Sequence, residues 1–325
     1  MIESVTLIIP SQNAEMKLIT LLKHISNWQV MPNEIIIIDS SDSKLNIPLD
    51  TVNFFKTSNI TLKIIYGSNM YPGHARNIGI SNSTNSILAF LDTSTFPSQK
   101  WLGSGLELIN SNDLQGVWGN TFYEAEKYIA KIIRACTYGE KPIKTFPGSI
   151  LKKNIFNRCG LFVESARAGE DGDWMTRAEL QKINISSPQE HLIYDDLDNI
   201  GIKLLLKKWF RNYIFTAELP FFRAHKDIYY YVTSFLAVLL AYNWNAVLAA
   251  WDMNSIFYIP NITKISMIII FLAYIFVRGI YLPLKKGVNI YYIFPINFVF
   301  ISFISILLDV TKIAAFMYSK FLKND

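Results

Sequence analysis

The sequence predicts an α/β domain built on a mostly parallel sheet, followed by a C-terminal α-helical membrane region. The first reason is a set of short apolar runs, typical of strands buried on both faces, at residues 5–9, 34–38, 62–66 and 87–91. The second is that helical patterns separate these runs, which predicts βαβ units and a doubly wound sheet. The third is the crowding of Ile, Phe, Leu, Tyr and Val between residues 228 and 318.

Composition narrows the classes of function. The chain has 325 residues, of which 51% are hydrophobic, and a net charge of +5. The modest positive charge suits anionic lipid surfaces better than nucleic acid, and residues 1–220 carry no basic stripe with interleaved aromatic residues. Cys136 and Cys159 are too few for a metal cluster or a disulfide framework. Because the chain opens on a strand pattern and not on a signal peptide, we expect the first domain to face the cytoplasm.

Two of the predicted strands end in a carboxylate, at Asp39 and at Asp92. The carboxyl ends of parallel strands meet at one edge of a sheet, which is where ligands bind in open α/β folds. Arg76 lies between these strands in sequence, and its guanidinium suits phosphate. The pattern predicts a nucleoside diphosphate site. The alternatives are an Asp92 that only begins the turn with Thr93 and an Arg76 that forms only a surface salt bridge.

An acidic segment flanked by glycines follows much later in the chain. Glu170, Asp171 and Asp173 lie between Gly169 and Trp174, at the start of a predicted helix. Acids at a helix start are favoured by the helix dipole, which is the structural explanation. The functional one is that a carboxylate in a tight loop takes a proton from an acceptor hydroxyl.

Together these segments resemble family 2 glycosyltransferases with the GT-A fold, of a membrane-anchored bacterial type. The resemblance covers roughly residues 5–211, and its pieces occur in the family's order. They are VTLIIPSQN, EIIIIDSSDS, PGHARNIGI, ILAFLDTST at the place of the family's DxD motif, and GLFVES followed by GEDGDWMTR. The resemblance implies a Rossmann-like sheet and sugar transfer with inversion at the anomeric carbon.

The resemblance also implies a role for particular residues. Asp171 would be the general base, Glu170 would position it or the acceptor, and Asp92 would hold Mg²⁺ or Mn²⁺. The donor nucleotide would be bound by Pro10, Ser11, Gln12, Asp39, Arg76, Asp92 and Thr93. The acceptor side would be formed by Gly148, Ser149, Trp174 and Arg177.

The sequence departs from the family where the second acid of DxD is expected, because that position is Ser94. Magnesium can be held by one carboxylate with substrate phosphates and water, so Asp92 can suffice. The alternative is weak metal binding or a metal-independent site. No Gln-x-x-Arg-Trp element of the processive synthases is present, which favours transfer of a single sugar.

The C-terminal third is predicted to be membrane-associated. Residues 202–213 form a basic amphipathic helix whose Lys207, Lys208, Trp209 and Arg211 would lie at the membrane interface, or pack on the soluble domain. Three apolar segments follow at residues 228–251, 262–284 and 290–318, each long enough to span a bilayer, so two or three spans are expected. We therefore divide the chain into a transferase domain (1–200), an interfacial helix and linker (201–227) and a transmembrane region (228–325).

A membrane anchor behind a nucleotide-sugar site implies a lipid-linked acceptor. By the resemblance, the acceptor is polyprenyl phosphate or a polyprenyl-diphosphate-linked saccharide, the favoured donor is a UDP-sugar, and the setting is synthesis of cell-surface polysaccharide or glycoconjugate. We expect a multi-pass protein of the cytoplasmic membrane that binds no nucleic acid. The alternative is a non-catalytic nucleotide-sugar-binding or scaffold subunit of a membrane glycan-assembly complex. This alternative is suggested by Ser94, which replaces the second acid of the DxD motif.

Overall fold

The structure, a computed structural model, describes residues 4–188, 190–219, 235–236, 238–239 and 242–321. Its first half contains four parallel strands in the order β3-β2-β1-β4. These are β1 (Val5–Ser11), β2 (Glu34–Asp39), β3 (Thr61–Tyr66) and β4 (Ile87–Phe90). Helices α1 (Glu15–Ile25), α2 (Leu49–Thr57) and α3 (Pro72–Asn82) connect them. The four apolar runs therefore form the βαβ units that the sequence predicts.

The second half of the sheet is mixed. Its strands are β5 (Thr95–Pro97), β6 (Gly116–Tyr123), β7 (Ile143–Lys152), β8 (Ile185–Ser186) and β9 (Leu192–Tyr194). Strand β7 runs antiparallel to both β4 and β6, and β5 antiparallel to β9, while β8 and β9 pair with β6 in parallel. Helices α4 (Trp101–Ser111), α5 (Tyr128–Cys136), α6 (Ile155–Cys159) and α7 (Glu170–Leu180) lie between these strands in sequence.

The isoleucine run of β2 explains why the strands carry little alternation. Ile35 and Ile37 pack into the cluster formed with α1 and α4, whereas Ile36 and Ile38 pack into a cluster on the opposite face. All four are fully buried, because successive side chains of a strand point to opposite faces and both faces are covered. Burying each such side chain contributes about 1.5–3 kcal/mol, so the strand is fixed in the centre of the domain.

A third apolar cluster joins the domain to the C-terminal helices. After a 3₁₀ turn at Asp196–Asn199, helix α8 (Ile202–Thr216) buries Leu205 against residues of α5 and of the last helix. The later described helices are α9 (Trp244–Ala249), α10 (Ile262–Ile275), α11 (Leu282–Lys285), α12 (Ile290–Ile293) and α13 (Asn297–Phe321). A π-helical segment, Phe276–Tyr281, joins α10 to α11.

Two of these helical stretches are long and apolar enough to cross a membrane. They are Ile262–Lys285 with 24 residues and Asn297–Ser319 with 23 residues. The α/β domain followed by an apolar helical region is therefore confirmed. Of the first predicted apolar segment, at residues 228–251, ten residues lie outside the described part of the chain (228–234, 237 and 240–241), so the choice between two and three spans stays a prediction.

Candidate active site

The carboxyl ends of β1 and β4 open onto a cleft with a volume of about 570 Å³. Six of the predicted donor-side residues and both predicted catalytic acids line it. They are Pro10, Ser11, Gln12, Arg76, Asp92 and Thr93 together with Glu170 and Asp171. The parallel topology of the first half brings the ends of β1 and β4 to one surface, and the start of α7 adds the two acids.

Arg76 joins the two sides of this cleft. Its Nη1 donates to Oε1 of Glu170 at 2.6 Å, and its Nη2 donates to Oδ1 of Asp92 at 3.0 Å. The side chains of Arg76 and Glu170 are 4% and 5% exposed, whereas that of Asp92 is 42% exposed. Arg76 therefore lies below the surface. It pairs with the exposed carboxylate of Asp92 on the cleft side and with the buried carboxylate of Glu170 on the inner side.

The charges around Arg76 are unequal, because three carboxylates surround one guanidinium. Burial by itself lowers the pKa of Arg76, but the negative charges of Asp92, Glu170 and Asp171 outweigh it and raise that pKa. Burial and the neighbouring charge of Asp171 raise the pKa of Glu170 to about 7 despite the attraction of Arg76. The site therefore carries excess acidic charge in a setting where proton transfer near neutral pH is possible.

The turn that precedes the two acids lies close to α8. Gly169 has φ +85°, the left-handed region that favours glycine, and a Cβ there would lie 2.9 Å from Oγ1 of Thr216. Helix α7 begins immediately afterwards at Glu170. Asp171 is half-buried in the first turn of this helix, where the N-terminal dipole favours a carboxylate.

Asp39 lies beneath the edge of the sheet, beside Ser11, its register partner on β1. Ser41 Oγ donates to Asp39 Oδ1 at 2.7 Å. The other carboxylate oxygen of Asp39 and the hydroxyl of Ser11 are buried without a partner in the described part of the chain. Buried polar atoms of this kind call for a ligand or water, and a neighbouring cavity of about 750 Å³ lined by Gln12, Ser41 and Thr93 adjoins them.

The residues around Asp92 do not fit a two-acid cation site. The second acid is replaced by Ser94, whose hydroxyl accepts a hydrogen bond from Lys17 Nζ at 3.3 Å. Asp92 is itself paired with Arg76. Among the residues that the structure describes, no group of three or more His, Cys, Asp or Glu side chains forms a metal site. The Mg²⁺ or Mn²⁺ at Asp92 stays a prediction.

The four residues expected on the acceptor side lie away from the cleft. Ser149 is fully buried and its hydroxyl accepts from the backbone N–H of Gly119 at 3.1 Å. Gly148 packs against Leu192, and its carbonyl accepts from the Trp101 indole. Trp174 is fully buried in the aromatic cluster, with its indole N–H donating to Gly160 O at 2.9 Å. Arg177 pairs with Asp173 at 2.9 Å. The polar groups of these four residues already have partners within the domain. The residues therefore belong to the packed walls behind the site.

The residues expected at the membrane interface divide into three groups. Lys207 is exposed, and Trp209 packs against the third apolar cluster. Lys208 and Arg211 line the cleft. Arg167, which sequence reasoning missed, lines the same cleft, and burial together with the charge of Arg167 lowers the pKa of Arg211. The signal that could have identified Arg167 is its position in the segment SARAGED, three residues before Glu170.

Comparison with known proteins is consistent with this geometry. Residues 6–162 match the profile of glycosyl transferase family 2. The matched segment, 157 of the 325 residues, is similar to a glycosyl transferase family 2 domain. It contains Asp39, Arg76 and Asp92, whereas Glu170 and Asp171 lie beyond the matched residues.

Two relatives extend the comparison of the glycosyltransferase domain. Glycosyltransferase AglE of Haloferax volcanii is 31% identical over 110 residues, which cover 34% of this chain and 35% of AglE. The mannosyltransferase PcManGT from Pyrobaculum calidifontis, solved in complex with GDP-Man and Mn²⁺, superposes with a TM-score of 0.54 and 12% identity, over 98% of this chain and 88% of PcManGT. The second likeness establishes the GT-A-like fold, and the first spans about a third of AglE.

Proposed function

We propose that this protein is an inverting glycosyltransferase that moves one sugar from a nucleoside diphosphate sugar to a lipid-linked acceptor at a membrane. The observation that carries the proposal is the position of Arg76. It binds Asp92 at the sheet edge and Glu170 at the start of α7 at the same time, and Asp171 follows in the wall of the same cleft. A donor-side residue and a base therefore share one site.

The reaction follows from these positions. The nucleoside enters beside Ser11 and Asp39, whose free oxygens accept hydrogen bonds from a base or ribose. Asp171 takes the proton of the acceptor hydroxyl as its oxygen attacks the anomeric carbon. The nucleoside diphosphate leaves from the opposite face, and the charge that develops on it is stabilised by the guanidinium of Arg76.

The acceptor is proposed from the connection of the cleft to the apolar helices. Helix α8 lines the cleft with Lys208 and Arg211, and its Phe210 ring lies 5.9 Å from the Tyr318 ring of α13. Cations on this wall suit the phosphate of polyprenyl phosphate or of a polyprenyl-diphosphate-linked saccharide. The proposed setting is the cytoplasmic face of the cell membrane, in cell-surface polysaccharide or glycoconjugate synthesis, with UDP-sugars as first donors to test.

The test is sugar transfer by the full chain in detergent with a panel of UDP- and GDP-sugars and a polyprenyl phosphate. Asp171→Asn removes the base, so we expect transfer to fall about 10²–10⁴-fold while nucleoside diphosphate binding is retained. Asp113→Asn, at a fully exposed acid on the surface, is the matched control. Undiminished transfer by the Asp171 variant rejects the catalytic assignment.

Ser94 favours a second candidate, a nucleotide-sugar-binding or scaffold subunit of a membrane glycan-assembly complex. A site with one carboxylate of the DxD pair can bind a donor and lack the charge needed for transfer. Binding of a nucleoside diphosphate by the wild-type chain, without transfer from any donor in the panel, supports this candidate over the first.

A further inference from the structure

Lys17 holds an unexpected position next to the sheet edge. It projects from α1, and its Nζ lies 2.8 Å from Oδ1 of Asp196 and 3.3 Å from Oγ of Ser94. The two partners are about 100 residues apart in sequence and meet because β5 pairs with β9, with Thr95 opposite Tyr194. Lys17 and Ser94 both line the cavity that adjoins the cleft.

The surroundings keep this ammonium in place. The side chain of Asp196 is 16% exposed and that of Lys17 is 42% exposed, so the pair is partly shielded from water. Burial raises the pKa of Asp196, but hydrogen bonds from Lys17 and Asn199 outweigh it and lower that pKa. An ammonium has three donors. Asp196 and Ser94 accept two of them, and the exposed part of Lys17 faces the cavity shared with Gln12 and Thr93.

The positive charge of Lys17, next to Ser94, changes which ion can bind at the position of the DxD motif. Ser94 provides a neutral hydroxyl where a second acid would attract a divalent cation. A cation bound there would be repelled by the Lys17 ammonium about 3 Å away. The same ammonium attracts phosphate, for which lysine is a suitable point charge.

We propose that Lys17, positioned by Asp196 against Ser94, binds the diphosphate of the donor at the place where a two-acid site would hold a divalent cation. The proposal rests on the proposed function, because it assumes a nucleoside diphosphate donor. Donor binding by this chain is then independent of added metal. A simple surface salt bridge, the alternative, would leave nucleotide binding unchanged when Lys17 is replaced.

The experiment is calorimetric titration of the full chain in detergent with UDP, GDP, UMP and GMP, after treatment with EDTA. We expect the wild type to bind at least one nucleoside diphosphate in EDTA, with less than a threefold gain on adding Mg²⁺ or Mn²⁺. Lys17→Met should weaken diphosphate binding about ten- to hundredfold, the effect of one charged hydrogen bond, and change monophosphate binding less. Lys23→Met, at an exposed lysine of the same helix, is the matched control.

Two further variants keep the proposal falsifiable if Lys17→Met folds poorly. Asp196→Asn removes the carboxylate that positions Lys17 and should weaken diphosphate binding in the same direction. Adding Ser94→Asp to Lys17→Met restores a second acid, so binding should become dependent on Mn²⁺ and sensitive to EDTA.

The outcomes separate this proposal from the proposed function. Wild-type binding that EDTA abolishes and Mn²⁺ restores, or equal diphosphate binding by wild type and Lys17→Met, overturns the role of Lys17 and leaves the transferase intact. Failure of the wild type to bind any of the four nucleotides under either condition refutes the proposed function, and the role of Lys17 with it.

Discussion

Two arginines in this protein are each joined to a carboxylate from a distant part of the chain, but in different surroundings. Arg76 binds Glu170 and Asp92 at the end of a cleft that opens to solvent. Arg278 binds Asp309 at 2.8 Å between two apolar helices, and the Tyr274 hydroxyl donates to the same carboxylate at 2.8 Å.

The difference lies in the balance of charge. Three acids surround Arg76, burial and the charge of Asp171 raise the pKa of Glu170, and Asp92 remains exposed at the cleft. Around Arg278 the described groups are the carboxylate of Asp309, the hydroxyl of Tyr274 and a second cation, Lys286, whose charge interacts with both Arg278 and Asp309. The described groups around Arg76 thus carry excess negative charge, whereas those around Arg278 do not, and we expect only the first cluster to take part in transfer.

Replacing each arginine by methionine gives the largest expected effect and separates the two roles. Arg76→Met leaves the buried Glu170 without its partner, so we expect a loss of about 3–5 kcal/mol in the free energy of unfolding and a loss of transfer. Arg278→Met should also lower stability but leave nucleoside diphosphate affinity unchanged. Thermal unfolding and UDP or GDP titration of both variants measure this. Equal nucleotide affinity of the two variants would remove the distinction.

A pH series gives the next largest effect. Because the pKa of Glu170 is raised from 4.5 to about 7, the folded state keeps a proton that the unfolded chain has lost between these values. This group therefore stabilises the fold less as the pH rises from about 4.5 to 7. We expect Glu170→Gln to gain melting temperature relative to wild type over that range, on the order of 5 °C.

The control for the pH series is Glu107→Gln, at an exposed acid on α4. Its melting temperature should follow that of the wild type across the range. Parallel curves of melting temperature against pH for Glu170→Gln and wild type between pH 4.5 and 7.5 would mean that burial and the neighbouring acidic charge do not raise the pKa of Glu170.

The smallest effect is expected at the cluster of Arg278, Asp309 and Tyr274. Tyr274→Phe removes one hydroxyl from the carboxylate of Asp309 and keeps the Arg278 pair, and if these helices span a bilayer the expected cost is about 0.6 kcal/mol, the average for hydrogen bonds between helices in membranes. We expect a shift in melting temperature of about 1–2 °C and unchanged transfer. Altered transfer in this variant would show that the apolar helices are coupled to the cleft.

The positions of the predicted donor-side residues could be inferred from the sequence, since strand ends depend on local patterns. An apolar run followed by a polar residue identifies the end of a buried strand, and parallel topology brings Ser11, Asp39 and Asp92 to one edge of the sheet. The turn at Gly169 and the acids after it could also be predicted from local sequence. The mixed second half of the sheet could not, because antiparallel β7 lies between β4 and β6 through long-range pairing.

Sequence alone therefore determined the α/β fold, the apolar C-terminal helices and the acids and arginine of the cleft. Only the tertiary structure decided that Lys208, Arg211 and Arg167 line this cleft, that Trp174 and Ser149 are buried behind it, and that Lys17 lies against Ser94. The reason is physical. Strand ends and helix starts are encoded by neighbours in sequence, whereas the partner of a charged side chain is set by which distant elements pack together.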